Sequence, residues 1–222
     1  MHLANLLVER AVDFIPVLLA LTVHEWAHAW TAWKLGDDTA KMLGRVSLNP
    51  LDHIDPVGTL LLPLLGIPFG WAKPVPFNPV RFRTSISMPL GVFLVAAAGP
   101  ISNSLLAVLG CAGLVVVRIF FRPDSADDLE LRTYFTLFTF LHQWVLINIA
   151  LALFNLLPIP PLDGSRIVDA SMPTALRPYW SRFSALGPFL LIAVILLPAC
   201  FGISFLYWPM VWTNDLLMWI MR

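Results

Sequence analysis

The chain has 222 residues, with 14 Lys+Arg against 14 Asp+Glu, and is 58% hydrophobic but only 13% charged. An ordinary soluble domain carries about twice that charged fraction, and the mean hydropathy here is +0.77. The even charge balance and the lack of any basic run argue against a nucleic-acid partner, and the composition points to a single integral membrane domain, residues 1–222.

The first apolar stretch runs from Ala11 to about residue 35 and contains His24-Glu25-Trp26-Ala27-His28. It is too long for a cleavable signal. On a helix, residues four apart are offset by about 40° and lie roughly 6 Å apart along the axis, so both imidazoles can reach one metal ion. Glu25 follows in the helical sweep, placed to take a proton from water that a zinc ion activates. Polar groups at membrane depth are costly to desolvate unless they face a protein-lined or watered cavity and bind something. The competing reading is a chance match on a surface helix.

Val57 to Phe69 is apolar but short and broken by Pro63, Gly66 and Pro68, which predicts a bent or re-entrant element. Before it, "LGRVSLNP" (43–50) alternates as a short strand does. After it, "GWAKPVPFNPVRFR" (70–83) is too proline-rich for a helix and is expected to be extended. Long apolar segments follow at Met88–Phe121 and Tyr134–Leu157, with the acidic loop 122–132 between them. The last, Ala185–Trp219, is divided by Pro198, Gly202 and Pro209, and is either one span plus an interfacial helix or a hairpin. The fold class is therefore an all-α polytopic membrane protein, with about five to six membrane segments and short β, extended and re-entrant elements near the site. Cys111 and Cys200 sit in apolar runs and are expected to be buried thiols.

Lys34, Lys41, Arg45, Lys73, Arg81, Arg83, Arg166, Arg177 and Arg182 fall in loops on one side of this arrangement, against Arg10, Arg118, Arg122 and Arg132 on the other. Lys/Arg bias marks the richer side as cytoplasmic, which puts His24 and His28 in the cytoplasmic half of the cell membrane.

Two histidines need a further ligand. Asp163 follows Pro158, Pro160 and Pro161, which end the preceding helix, and is presented on a turn with Gly164. An ordinary Pro-Asp-Gly surface turn is the competing reading. His142, beside Gln143, reads as a hydrogen-bonded helix-packing residue or as a ligand. Asp52, His53 and Asp55 either bind a second metal or serve the loop, with Asp55 capping a helix that begins near Pro56.

His24-Glu25-x-x-His28 on a membrane helix, together with Asn155 to Gly164, resembles the site-2 protease family of intramembrane zinc metalloproteases. "AAAGPISNSLLA" (96–107) is similar to that family's middle helix, with Gly99 and Asn103 in the expected neighbourhood. "NPLDHIDPVGTLLLP" (49–63) and "GWAKPVPFNP" (70–79) resemble its compact bacterial and archaeal branch, without the PDZ or CBS modules of many relatives. The resemblance implies one Zn2+ per chain held by His24, His28 and Asp163, Glu25 as general base, and Asn155 as the residue holding the scissile carbonyl or oxyanion. It implies hydrolysis of peptide bonds in a locally unwound transmembrane substrate. An extended substrate segment could pair with a strand edge at 44–50 or 73–79. Two other classes stay open: a membrane zinc transporter, which would need a relay of further His or carboxylate groups on facing helices, and a non-catalytic membrane adaptor with a residual metal site. Oligomeric state is not legible.

Overall fold

The structure, a computed structural model, describes residues 2–61, 72–121, 128–202 and 205–220, with side chains beginning at residue 14. Its helices are α1 (His2–Lys34), α2 (Thr39–Met42), α3 (Met88–Phe120), α4 (Asp128–Asn155), α5 (Asp163–Ser171), α6 (Arg177–Ala185), α7 (Gly187–Phe201) and α8 (Tyr207–Ile220).

By length and apolarity α3 and α4 can each cross a bilayer, and a third crossing exists if residues 174–185 and 187–197, bent by 55°, form one broken span. Among the described residues two or three crossings meet that test, fewer than the five to six segments expected from the whole sequence. α1 is 33 residues long, but its apolar run is interrupted by Asp13, His24, Glu25 and His28. α7 and α8 have 15 and 14 residues, short of the roughly 20 that a perpendicular helical span needs. They are separate helices, parted at Gly202, whose φ of +68° suits glycine.

α3 is the central helix and packs against α1, α4 and α5. Ala107 and Leu114 on α3, Val145 on α4 and Leu217 on α8 form one buried cluster. The close approach of α3 and α4 rests on small residues, as membrane packing favours. A Cβ at Gly110 would lie 2.7 Å from the Val145 side chain.

The expected strand at 43–50 does not form, and no strand occurs among the described residues. Its alternation has another cause. Arg45 is buried and donates to the Lys73 carbonyl, while Gly44 turns the chain at φ +70° and Pro50 opens a short 3-10 helix. Of the predicted re-entrant stretch, residues 57–61 belong to a π-helix that starts at Pro56, and 62–69 lie outside the described residues. The acidic loop is shorter than expected, because α4 already begins at Asp128, with an exposed Arg132–Asp128 pair at 2.8 Å.

Residues 72–78 form no helix, as the prolines predict, and run beside the second half of α1. Lys73 N–H donates to His53 O (2.9 Å), Val75 N–H to Glu25 Oε2 (3.1 Å) and Asn78 N–H to Asp37 Oδ2 (2.5 Å). Asp37 is fully buried, and its other oxygen accepts from Thr39 N–H and Thr39 Oγ1–H, so one carboxylate ties the end of α1 to this segment.

Candidate metal centre

His24 and His28 lie one turn apart on α1 and face α3, where the chain has Gly99. A Cβ at that position would sit 2.5 Å from His28 Nε2 and 2.6 Å from His24 Nε2. Only glycine leaves room for both rings. Asp163 arrives from the far side of the sequence. After α4 ends at Asn155, the proline-rich turn folds back so closely that a Cβ on Gly164 would lie 2.2 Å from Leu156 O. Asp163 is the first residue of α5, rather than part of a free turn.

The hydrogen bonds on the outer side of each ring fix which nitrogens carry protons. Trp144 O can only accept, so Asn148 Nδ2 donates to it (2.9 Å). Asn148 Oδ1 then accepts from Asn103 Nδ2 (2.9 Å), which turns Asn103 Oδ1 toward His24 Nδ1 at 2.6 Å. His24 Nδ1–H must therefore donate. His28 Nδ1–H likewise donates to Val95 O (2.7 Å). In the neutral rings, both Nε2 atoms are left with bare lone pairs.

Those two lone pairs and Asp163 Oδ2 point at one another. His24 Nε2 to Asp163 Oδ2, His28 Nε2 to Asp163 Oδ2 and His24 Nε2 to His28 Nε2 are each 3.1 Å. All three residues are buried, at 4%, 8% and 7% exposure for His24, His28 and Asp163. Three acceptors converging in a buried site are repulsive unless a cation or an extra proton sits among them. Ligand atoms around tetrahedral zinc stand about 3.3 Å apart, given bonds of about 2.0–2.2 Å, so the triangle suits one such ion. The His–Asn–Asn chain is the kind of outer support that holds a ligating imidazole in its tautomer.

Among the described residues this is the one group of three or more His, Cys, Asp or Glu side chains that converges in this way. Glu25 lies outside the triangle, half-buried, with Oε2 accepting from Val75 N–H. Asn155 is not brought to the triangle by a hydrogen bond; its Nδ2 donates to Leu151 O on its own helix (3.0 Å). His142 Nε2 pairs with Asn214 Oδ1 at 2.9 Å across α4 and α8, a packing role. His53 is 1% exposed and spends Nε2–H on Ser47 O (2.8 Å), while Asp55 Oδ1 caps Val57 and Gly58 N–H. The Asp52–His53–Asp55 cluster is loop architecture.

Asn103 is the residue whose weight the sequence understated. An asparagine at the centre of a 33-residue apolar helix is costly unless bonded, and that was the available signal.

Apolar helices enclosing a two-His, one-Asp triangle beside a glutamate define a zinc hydrolase of the membrane. Comparison with known proteins places it further: peptidase family M50 matches residues 13–198, and the chain belongs to that family, the site-2 protease type of zinc metalloprotease. It is 39% identical over 198 residues to "Putative zinc metalloprotease YwhC" of Bacillus subtilis (strain 168), covering 88% of this chain and 84% of the relative. It is 33% identical over 185 residues to "Putative zinc metalloprotease Rip2" of Mycolicibacterium smegmatis, covering 81% of this chain and 64% of that protein. The Rip2 of Mycobacterium tuberculosis H37Rv is 32% identical over 184 residues, with 83% and 64% covered. No solved structure matches the chain.

Proposed function

We propose that this zinc metalloprotease hydrolyses peptide bonds of membrane-embedded substrates, with its site in the cytoplasmic half of the cell membrane and residues 1–222 acting as one domain. The observation that carries the reading is the mutual 3.1 Å spacing of His24 Nε2, His28 Nε2 and Asp163 Oδ2 between apolar helices. Zinc held there would supply Lewis-acid activation of water and of the scissile carbonyl. The chain's own groups do the rest. Asn103 and Val95 O hold the two imidazoles with Nε2 unprotonated. Glu25 accepts the proton of the attacking water and returns it to the leaving amine. To do so its carboxylate must keep one oxygen free of Val75 N–H, and only Oε2 is engaged by that bond. Asn155 would steady the carbonyl oxygen by giving up its bond to Leu151 O.

The proline-rich segment 72–78 touches Glu25 through Val75 N–H. Lys73 and Val75 spend their N–H groups on His53 O and Glu25, and Pro74 and Pro76 have none to offer, so across 73–76 only carbonyls remain to pair with a substrate. A substrate strand would be held there through its own N–H groups, in one direction of bonding.

The test combines zinc content and cleavage. Wild type in proteoliposomes should hold about one zinc per chain and cleave a transmembrane peptide in preference to a soluble one. Asp163→Ala should lose both metal and cleavage. Full zinc occupancy in Asp163→Ala removes that ligand from the account, and equal cleavage of a soluble peptide removes the membrane substrate.

A further inference from the structure

Away from the metal triangle, α5 and α6 flank an open cavity of about 480 Å³. From α5 it is lined by Arg166 and Asp169, and from α6 by Arg177, Trp180, Ser181 and Ser184. The α6 positions follow helical spacing, so this is one face of that helix. The opposite face carries Leu176, Tyr179, Phe183 and Leu186, all exposed.

Three features of the cavity are unspent. Neither Arg166 nor Arg177 has a carboxylate partner among the described residues; Arg166 lies over the Phe77 ring at 5.2 Å. The Ser184 hydroxyl is buried and has no hydrogen-bond partner among the described residues. It is shut off from the cavity as it stands, and it reaches a ligand there when its side chain rotates about χ1. Asp169, likewise without an ion pair there, leaves the lining with a net positive charge.

Two guanidinium forks, a hydroxyl and an indole around one cavity match a phosphate group. The exposed apolar stripe on the back of α6 and the bend of 55° into apolar α7 place that cavity where a bilayer surface meets the protein. We propose that the α5–α6 cavity binds the phosphate of a phospholipid headgroup, with Arg166 and Arg177 on the phosphate oxygens and the Ser184 hydroxyl turning in to donate. Asp169 faces whatever positive or hydroxyl-bearing part the headgroup offers. The site is independent of the proteolytic reading, although it shares α5 with Asp163.

The experiment uses the whole chain, delipidated in neutral detergent, with native mass spectrometry after adding dioleoyl phosphatidylglycerol, dioleoylglycerol or sodium phosphate. The phosphatidylglycerol adduct should survive where the diacylglycerol adduct does not. Arg166→Gln with Arg177→Gln should weaken it by about tenfold or more, with zinc content unchanged. Ser184→Phe, which fills the cavity and keeps both arginines, should abolish the adduct as well. Displacement of the lipid by millimolar sodium phosphate would show that the phosphate alone is read; failure to displace it would assign the source to the lipid. Equal retention of phosphatidylglycerol and dioleoylglycerol, or an unaltered adduct in both variants, overturns the proposal.

Discussion

Asn103 holds His24 by a 2.6 Å hydrogen bond between Oδ1 and Nδ1, and is itself held by Asn148. This bond joins α1 to α3, and through Asn148 to α4, so the tautomer of a metal-facing imidazole depends on packing of three helices. Removing it leaves His24 free to rotate or to place its proton on Nε2, where it would block a ligand bond. Asn103→Ala should therefore weaken zinc binding by about 10–100-fold, measured by chelator competition. Unchanged affinity would mean that His24 is oriented by packing alone.

Gly99→Ala separates helix stability from site integrity. Alanine is a better helix former than glycine by about 1 kcal/mol, so α3 itself should gain. The new methyl would stand 2.5 Å from His28 Nε2 and from His24 Cε1, so the rings must part. The expected outcome is helical content at or above wild type by circular dichroism, with zinc and cleavage lost. Retention of both would show that α1 and α3 can move apart at no cost to the site.

Topology decides where products are released. The Lys/Arg asymmetry predicts that α6 faces the cytoplasm and that the start of α4 faces outward. With Cys111 and Cys200 replaced, a single cysteine at the exposed Asp128 should react with an impermeant thiol reagent in intact cells, and one at the exposed Ser181 should not. The reverse pattern would invert the site, and products assigned to the cytoplasm would be released outside.

The legibility of this chain was uneven, for physical reasons. His24 and His28 were readable because four residues is one helical turn, a local rule that packing did not need to confirm. Asp163 was harder, since its approach to the histidines spans 139 residues of sequence; the resemblance of its Leu-Asp-Gly context carried it. The 43–50 strand was misread because alternation in a short segment does not distinguish pairing from a single buried arginine, here Arg45 reaching Lys73 O. The Asp52–His53–Asp55 cluster read from its residue types either as a second metal site or as loop capping, and the described bonds of His53 and Asp55 serve the loop. Asn103 was named only through the resemblance of 96–107, and its partners on other helices were not legible.

The central claim is that three residues hold the metal while Glu25 moves protons. Glu25→Gln in the purified, membrane-reconstituted protein tests it most directly, with zinc content and peptide cleavage read from the same sample. The amide keeps the size of the side chain and can still accept from Val75 N–H, so the fold and about one zinc per chain should be retained. Cleavage should fall by about 10²–10⁴-fold, the usual loss for a general base. Near-normal turnover with zinc in place would contradict the account, and loss of zinc together with activity would make Glu25 a ligand rather than a base.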